Sequence, residues 1–128
     1  MKQPKLILLI IVIAQFFCTS LWFAGNGIIN DLIASYNLKS TDLAHLTVAV
    51  QFGFISGTLS FALFTIADRF SPSKVFFICA LLGALFNFGI TFHNQTIITL
   101  LILRFFTGFF LAGIYPVGMK IATDYFKE

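Results

Sequence analysis

Four apolar runs, each about as long as a bilayer is thick, divide this chain. Residues 6–24, 46–66 and 75–92 carry no charge, and the run that begins at residue 97 carries only Arg104 before Lys120. A membrane span needs about 20 predominantly apolar residues, and each run supplies that or nearly so. The pattern predicts helices over roughly 5–31, 41–67, 72–92 and 97–123. Charge returns between the second and third runs, in Asp68, Arg69 and Lys74. Charged side chains are costly in hydrocarbon, so this stretch marks a water boundary. Pro72 suits the first turn of a helix, and Ser71 before it can cap that helix. Ser40, Thr41 and Asp42 offer caps for the second helix in the same way. The short uncharged turn His93-Asn94-Gln95-Thr96 makes the third and fourth helices antiparallel neighbours. The fold class expected is all-α, a polytopic transmembrane bundle forming one membrane domain over 1–128.

Composition agrees with that class. The chain is 59% hydrophobic and 10% charged, against about 25% charged for an ordinary soluble domain. A soluble fold of this size has too little interior to bury so much Phe, Leu and Ile. The net charge of +3 raises nucleic acid as a partner, but no basic cluster or helix face supports it. The basic residues follow the membrane instead. Lys2, Lys5, Arg69, Lys74, Lys120 and Lys127 fall on one predicted side, and Lys39 stands alone on the other. That bias puts both termini and the Asp68 loop in the cytoplasm, in a cell membrane expected to be a bacterial inner membrane. The first twenty residues imitate a secretion signal, but there is no Ala-x-Ala site and the apolar run continues through Trp22 and Phe23. Cys18 and Cys79 lie within apolar runs and behave as small hydrophobes.

The polar residues inside the spans are the candidates for function. Gln15, Thr19, Trp22, Asn26 and Asn30 share one stripe of the first helix at 100° per residue. Such a stripe faces protein or water rather than lipid, as interhelical hydrogen bonds or as a cavity wall. Gly25 and Gly27 loosen the end of that helix or admit a close neighbour. In the second helix Gly53 and Gly57 form a Gly-x-x-x-Gly pair for close packing, and Gln51 is its strongly polar residue. Gly83 and Asn87 lie one turn apart on a third helix that otherwise reads as peripheral.

Arg104 lies seven residues into the fourth helix, about 10 Å deep. It either snorkels to the surface or faces an internal polar cavity, with Gly108, Leu111 and Tyr115 on its stripe. Gly113, Pro116 and Gly118 predict a kink or close-packed bend. Lys120 and Asp124 stand one turn apart as an exposed pair. No phosphate loop, metal-ligand spacing or nucleophile with its base is present, so neither an enzyme nor a cofactor is expected.

Several of these stretches resemble the major facilitator superfamily of secondary transporters. Asp68-Arg69 after an apolar second helix matches the core of the family's Gly-x-x-x-Asp-Arg-x-Gly-Arg-Arg/Lys loop. Phe64 and Ser71 stand at its glycine positions, and Lys74 comes one place after the basic pair. Arg104-Phe105-Phe106-Thr107-Gly108 is similar to the family's Arg-x-x-x-Gly in the fourth helix. Residues 111–120 and 21–26 resemble its fourth and first helices.

The resemblance covers essentially the whole chain and implies the first third of a transporter with two six-helix halves around a midplane site. It implies a lipid bilayer and a small solute as partners, with further helices or self-association to complete the machine. It makes Asp68, Arg69 and Lys74 a conformational latch, and Arg104 a cation for an anionic solute or a coupling carboxylate. Gln15, Trp22, Asn26, Gln51 and Tyr115 become candidates for the cavity wall. Two other readings compete. One is a four-helix assembly protein, against which the buried cost of Arg104 counts. The other is a dimeric small multidrug exporter, which lacks its membrane carboxylate here.

Overall fold

The computed structural model describes residues 3–126, so the expectations about Lys2 and Lys127 fall outside the described residues. It is helical throughout, with no strand among the described residues. Helix α1 spans Gln3–Gly27, α2 Ile29–Tyr36, α3 Ser40–Leu63, α4 Ile66–Arg69 and α5 Pro72–Phe88. A 3₁₀ turn follows at Gly89–Thr91, then α6 Ile97–Leu111 and α7 Tyr115–Tyr125. Four segments are long and apolar enough to cross a membrane: Lys5–Gly27, Ser40–Leu63, Pro72–Thr91 and Ile97–Tyr125. The chain is an integral membrane protein.

Each predicted span is present, and each is interrupted where local chemistry wins over periodicity. The first helix ends at Gly27 rather than near residue 31, with Ile28 at φ −116° and ψ 21°. Gly25, Asn26 and Gly27 are weak helix formers, and the break lets α2 turn across the bundle end. There α2 buries Leu32, and Leu38 just beyond it is buried too, against Leu46, Ile90 and Leu100. Tyr36 Oη donates toward the carbonyls of Ile90 and Phe92, at 3.0 and 2.6 Å. The second helix stops at Leu63, not 67. Thr65 is left-handed at φ 48°, and one further turn, α4, carries Asp68 and Arg69.

The capping expectations need correction. Ser71 stands at the cap of α5 and Pro72 follows in the first turn, but the Ser71 side chain makes no cap bond. Its carbonyl accepts from Lys74 and Val75 instead, both at 3.0 Å. The cap residue of α3 is Lys39, whose N–H donates to the Asp42 carboxylate at 2.9 Å.

The tightest contact is the crossing of α3 and α6. A Cβ on Gly53 would strike the carbonyl of Phe105, and one on Gly108 would strike the carbonyl of Val50. A Cβ on Gly57 would strike the carbonyl of Phe109 and the Ala112 side chain. The Gly-x-x-x-Gly pair thus meets Gly108 of a helix running in the same direction, and backbone lies on backbone. Helix α5 is less peripheral than its composition suggests. It buries Val75, Cys79 and Gly83, and its Phe86 stacks on Phe106 and Phe110 of α6 at 5.0 and 5.6 Å. Val50, Val75, Cys79, Leu111, Ile114 and Val117 form the core nearer the Asp68 end. By contrast, no residue of α1 from Lys5 to Gly27 is buried.

Candidate functional site

The fourth span breaks between α6 and α7. Pro116 has no N–H and cannot continue the helix ladder. The chain tightens through Ala112, Gly113 and Ile114, whose N–H groups bond back to Phe109, Phe110 and Leu111. Gly113 fits there because a Cβ would meet Cys79 Sγ. The expected bend is therefore a break, and it rotates Tyr115 off the Arg104 stripe: Tyr115 is exposed, as is Pro116.

Arg104 and Thr107 are the buried polar residues among those described, and Arg104 is 4% exposed. The guanidinium does not snorkel. It reaches from α6 across to α1, where Nη2 donates to the Trp22 carbonyl at 2.9 Å and Nη1 to the Leu21 carbonyl at 3.3 Å. Nη1 also donates to Asn87 Oδ1 of α5 at 3.2 Å. Gly25 lies beside it, and a Cβ there would make ordinary contact at 3.4 Å from Cζ. Hydrogen bonds to a charged group contribute roughly 1.5–3 kcal/mol each. Three of them offset an insertion cost of about 2.5–3.5 kcal/mol. All three acceptors are neutral, so the positive charge is held without being balanced. The cavity expected beside Arg104 is small, about 20 Å³, with Gly25, Asn26 and Thr47 in its wall. That is room for about one water molecule.

The other wall candidates divide. Gln15 Nε2 donates to the Tyr115 carbonyl at 3.0 Å, and Gly118 makes space for the Gln15 amide. Trp22 is half-buried, with its ring edge-on to Phe54 at 5.4 Å. Asn26 is exposed but lines the Arg104 cavity. Gln51 is exposed on α3 and lines neither that cavity nor its neighbour at Asn87. The polar stripe of α1 stops at Asn26, because Asn30 belongs to α2.

At the opposite end, Lys120 Nζ of α7 forms an ion pair with Asp68 Oδ1. The expected Lys120–Asp124 pair is thus not the whole arrangement, since Lys120 also reaches across to α4. Arg69 and Lys74 are exposed. Asp68 lines a cavity of about 200 Å³ with Thr58, Thr65, Ala112 and Pro116 in its wall. The residues not singled out for function from sequence are Asn87 and, as a partner of Asp68, Lys120. Asn87 shared a helix face with Gly83, and Lys120 was the basic residue of α7 at the Asp68 end. Those were the available signals.

A family model described as Major Facilitator Superfamily matches residues 8–128. Neither a curated protein nor a solved structure matches the chain.

Proposed function

The chain belongs to the major facilitator superfamily of membrane transporters, and from that premise we propose that it serves secondary transport of a small anionic solute by alternating access. Arg104 is the cation for that solute or for a coupling carboxylate. The observation that carries this reading is a guanidinium 4% exposed whose hydrogen bonds all go to neutral oxygens. At an effective dielectric of about 20, a unit anion ~4 Å away is attracted by about 4 kcal/mol. That is near a thousandfold in affinity, comparable with the two hydrogen bonds to the α1 carbonyls. Binding at Arg104 would thereby compete with the contacts that hold the outer end of α1.

Asp68 and Lys120 act as a latch at the cytoplasmic face, with Arg69 and Lys74 exposed beside them. The pair joins α4 to α7, and an exposed ion pair is a weak contact. A contact that weak can be made and broken within a transport cycle and still bias two states. Rocking needs a second helix bundle, supplied by further transporter helices or by self-association.

The test is thermal unfolding of the purified chain in nanodiscs, with sodium acetate, succinate or phosphate at constant ionic strength. A bound anion stabilises by about 2.7 kcal/mol at a hundred times its dissociation constant. The midpoint should rise with at least one anion, and Arg104→Gln should lose the rise while Arg104→Lys keeps part of it. No rise with any of the three anions defeats the anionic reading.

A further inference from the structure

Arg104 carries a full charge into the bundle, and what surrounds it decides whether that charge is available. Its side-chain partner is Asn87, on the last turn of α5. A guanidinium only donates, so Asn87 must turn its oxygen toward Arg104 and its NH₂ group away. The contact orients the guanidinium and leaves its charge intact. The hydrogen bonds described for Arg104 go to no carboxylate, and Lys120 and Asp68 pair at the other end of the bundle.

Asn87 also stands at an opening. A cavity of about 240 Å³ lies between the end of α1 and α5, with Ala24, Gly25, Ile28, Ala84, Asn87 and Phe88 in its wall. Gly25 borders both this cavity and the small one at Arg104. Ile90 borders both as well, and a Cβ on Gly25 would lie 3.4 Å from the guanidinium carbon. An oxygen anion in that space would meet the Asn87 NH₂ group and could approach Arg104 past Gly25.

We propose that Asn87 is the specificity-determining residue of the Arg104 site, fixing the guanidinium with a neutral oxygen and so reserving its charge for an oxygen anion entering beside Gly25. This rests on the anionic reading of Arg104 given above. Aspartate is nearly the same size and shape as asparagine. At this position it would stand about as close to Nη1 as Asn87 does and would fill the need for an anion from within.

The experiment compares wild type, Asn87→Asp and Asn87→Leu in nanodiscs. The first readout is the unfolding midpoint without added anion. Asn87→Asp should unfold above Asn87→Leu and at or above wild type, because it adds the missing counter-charge. The second is apparent affinity for acetate, succinate and phosphate from the midpoint shifts. Asn87→Asp should bind at least about tenfold more weakly, a conservative share of the attraction lost. Asn87→Leu keeps the charge but loses the amide, so its affinity should fall by less than that of Asn87→Asp. A midpoint for Asn87→Asp no higher than that of Asn87→Leu overturns the inference, as does an undiminished anion affinity. Wild type that ignores every anion sinks the functional reading alone, and the midpoint comparison still decides this one.

Discussion

Replacing Gly108 with alanine adds one methyl group at the crossing of α3 and α6. The new Cβ would overlap the Val50 carbonyl oxygen and lie 2.8 Å from its carbon and 3.0 Å from the Phe54 nitrogen. Carbon atoms rest about 3.5–4.0 Å apart, so the helices must separate by about 0.7 Å or more. The obstacle is backbone, which has no rotamer to escape into. Overpacking costs about 1–3 kcal/mol, and this site belongs at the upper end. A gap of that width also forfeits a quarter to a half of the dispersion energy along the seam. Arg104 sits one turn from Gly108 on α6, so the same displacement disturbs its reach to α1. Unfolding in mixed micelles with rising dodecyl sulfate measures the loss. Gly27→Ala is the control, since a Cβ there meets nothing within 4 Å. Gly53→Ala should cost a similar amount, and the double variant less than the sum, because helices already parted have little further to yield. A Gly108→Ala stability within about 0.5 kcal/mol of the Gly27→Ala control would refute the backbone-contact argument.

Three further outcomes follow from the same geometry. Arg104→Ala should insert normally yet abolish solute uptake by the assembled transporter, and uptake at the wild-type rate would remove Arg104 from the site. Asp68→Asn should slow turnover more than it weakens solute binding, and the exchange Asp68→Lys with Lys120→Asp should restore much of the rate; no rescue would mean that the Lys120 contact is incidental. Thr65→Gly should raise stability by about 1 kcal/mol, because a β-branched residue held at φ 48° carries strain that glycine lacks; an unchanged unfolding midpoint would contradict it.

The number and order of spans were legible because apolar run length is a direct response to bilayer thickness. The Gly53–Gly57 seam was legible too, since only small residues let helix backbones touch. What periodicity could not give was where the helices break. Thr65 adopts a conformation that its own side chain disfavours, and Ile28 interrupts a helix for the sake of docking α2. Helical-wheel reasoning also assumed one continuous fourth helix, so Tyr115 was assigned to the Arg104 stripe; the turn at Ala112–Ile114 undoes that phase. The depth of Arg104 was readable from its position among apolar residues, although snorkelling stayed open beside an inward-facing side chain. Its acceptors were not, because two are backbone carbonyls that any sequence would present. Asn87 stood on a helix whose Phe and Leu content suggested lipid, and its polar role shows only when α5 and α6 are packed together.

Helix α1 turns apolar side chains such as Leu9, Phe16, Phe17 and Phe23 outward and buries none. Its ties to Arg104 connect residues 82 and 83 positions apart in the chain. During synthesis the first span must therefore enter lipid and persist there, its carbonyls bonded only within the helix, long before the guanidinium that docks it has been translated. The broad apolar face of α1 tolerates that wait, while Gln15 gains its partner at Tyr115 only after α7 has been made. The outward apolar face of α1 thus suits a helix that lives alone first and acquires neighbours afterwards.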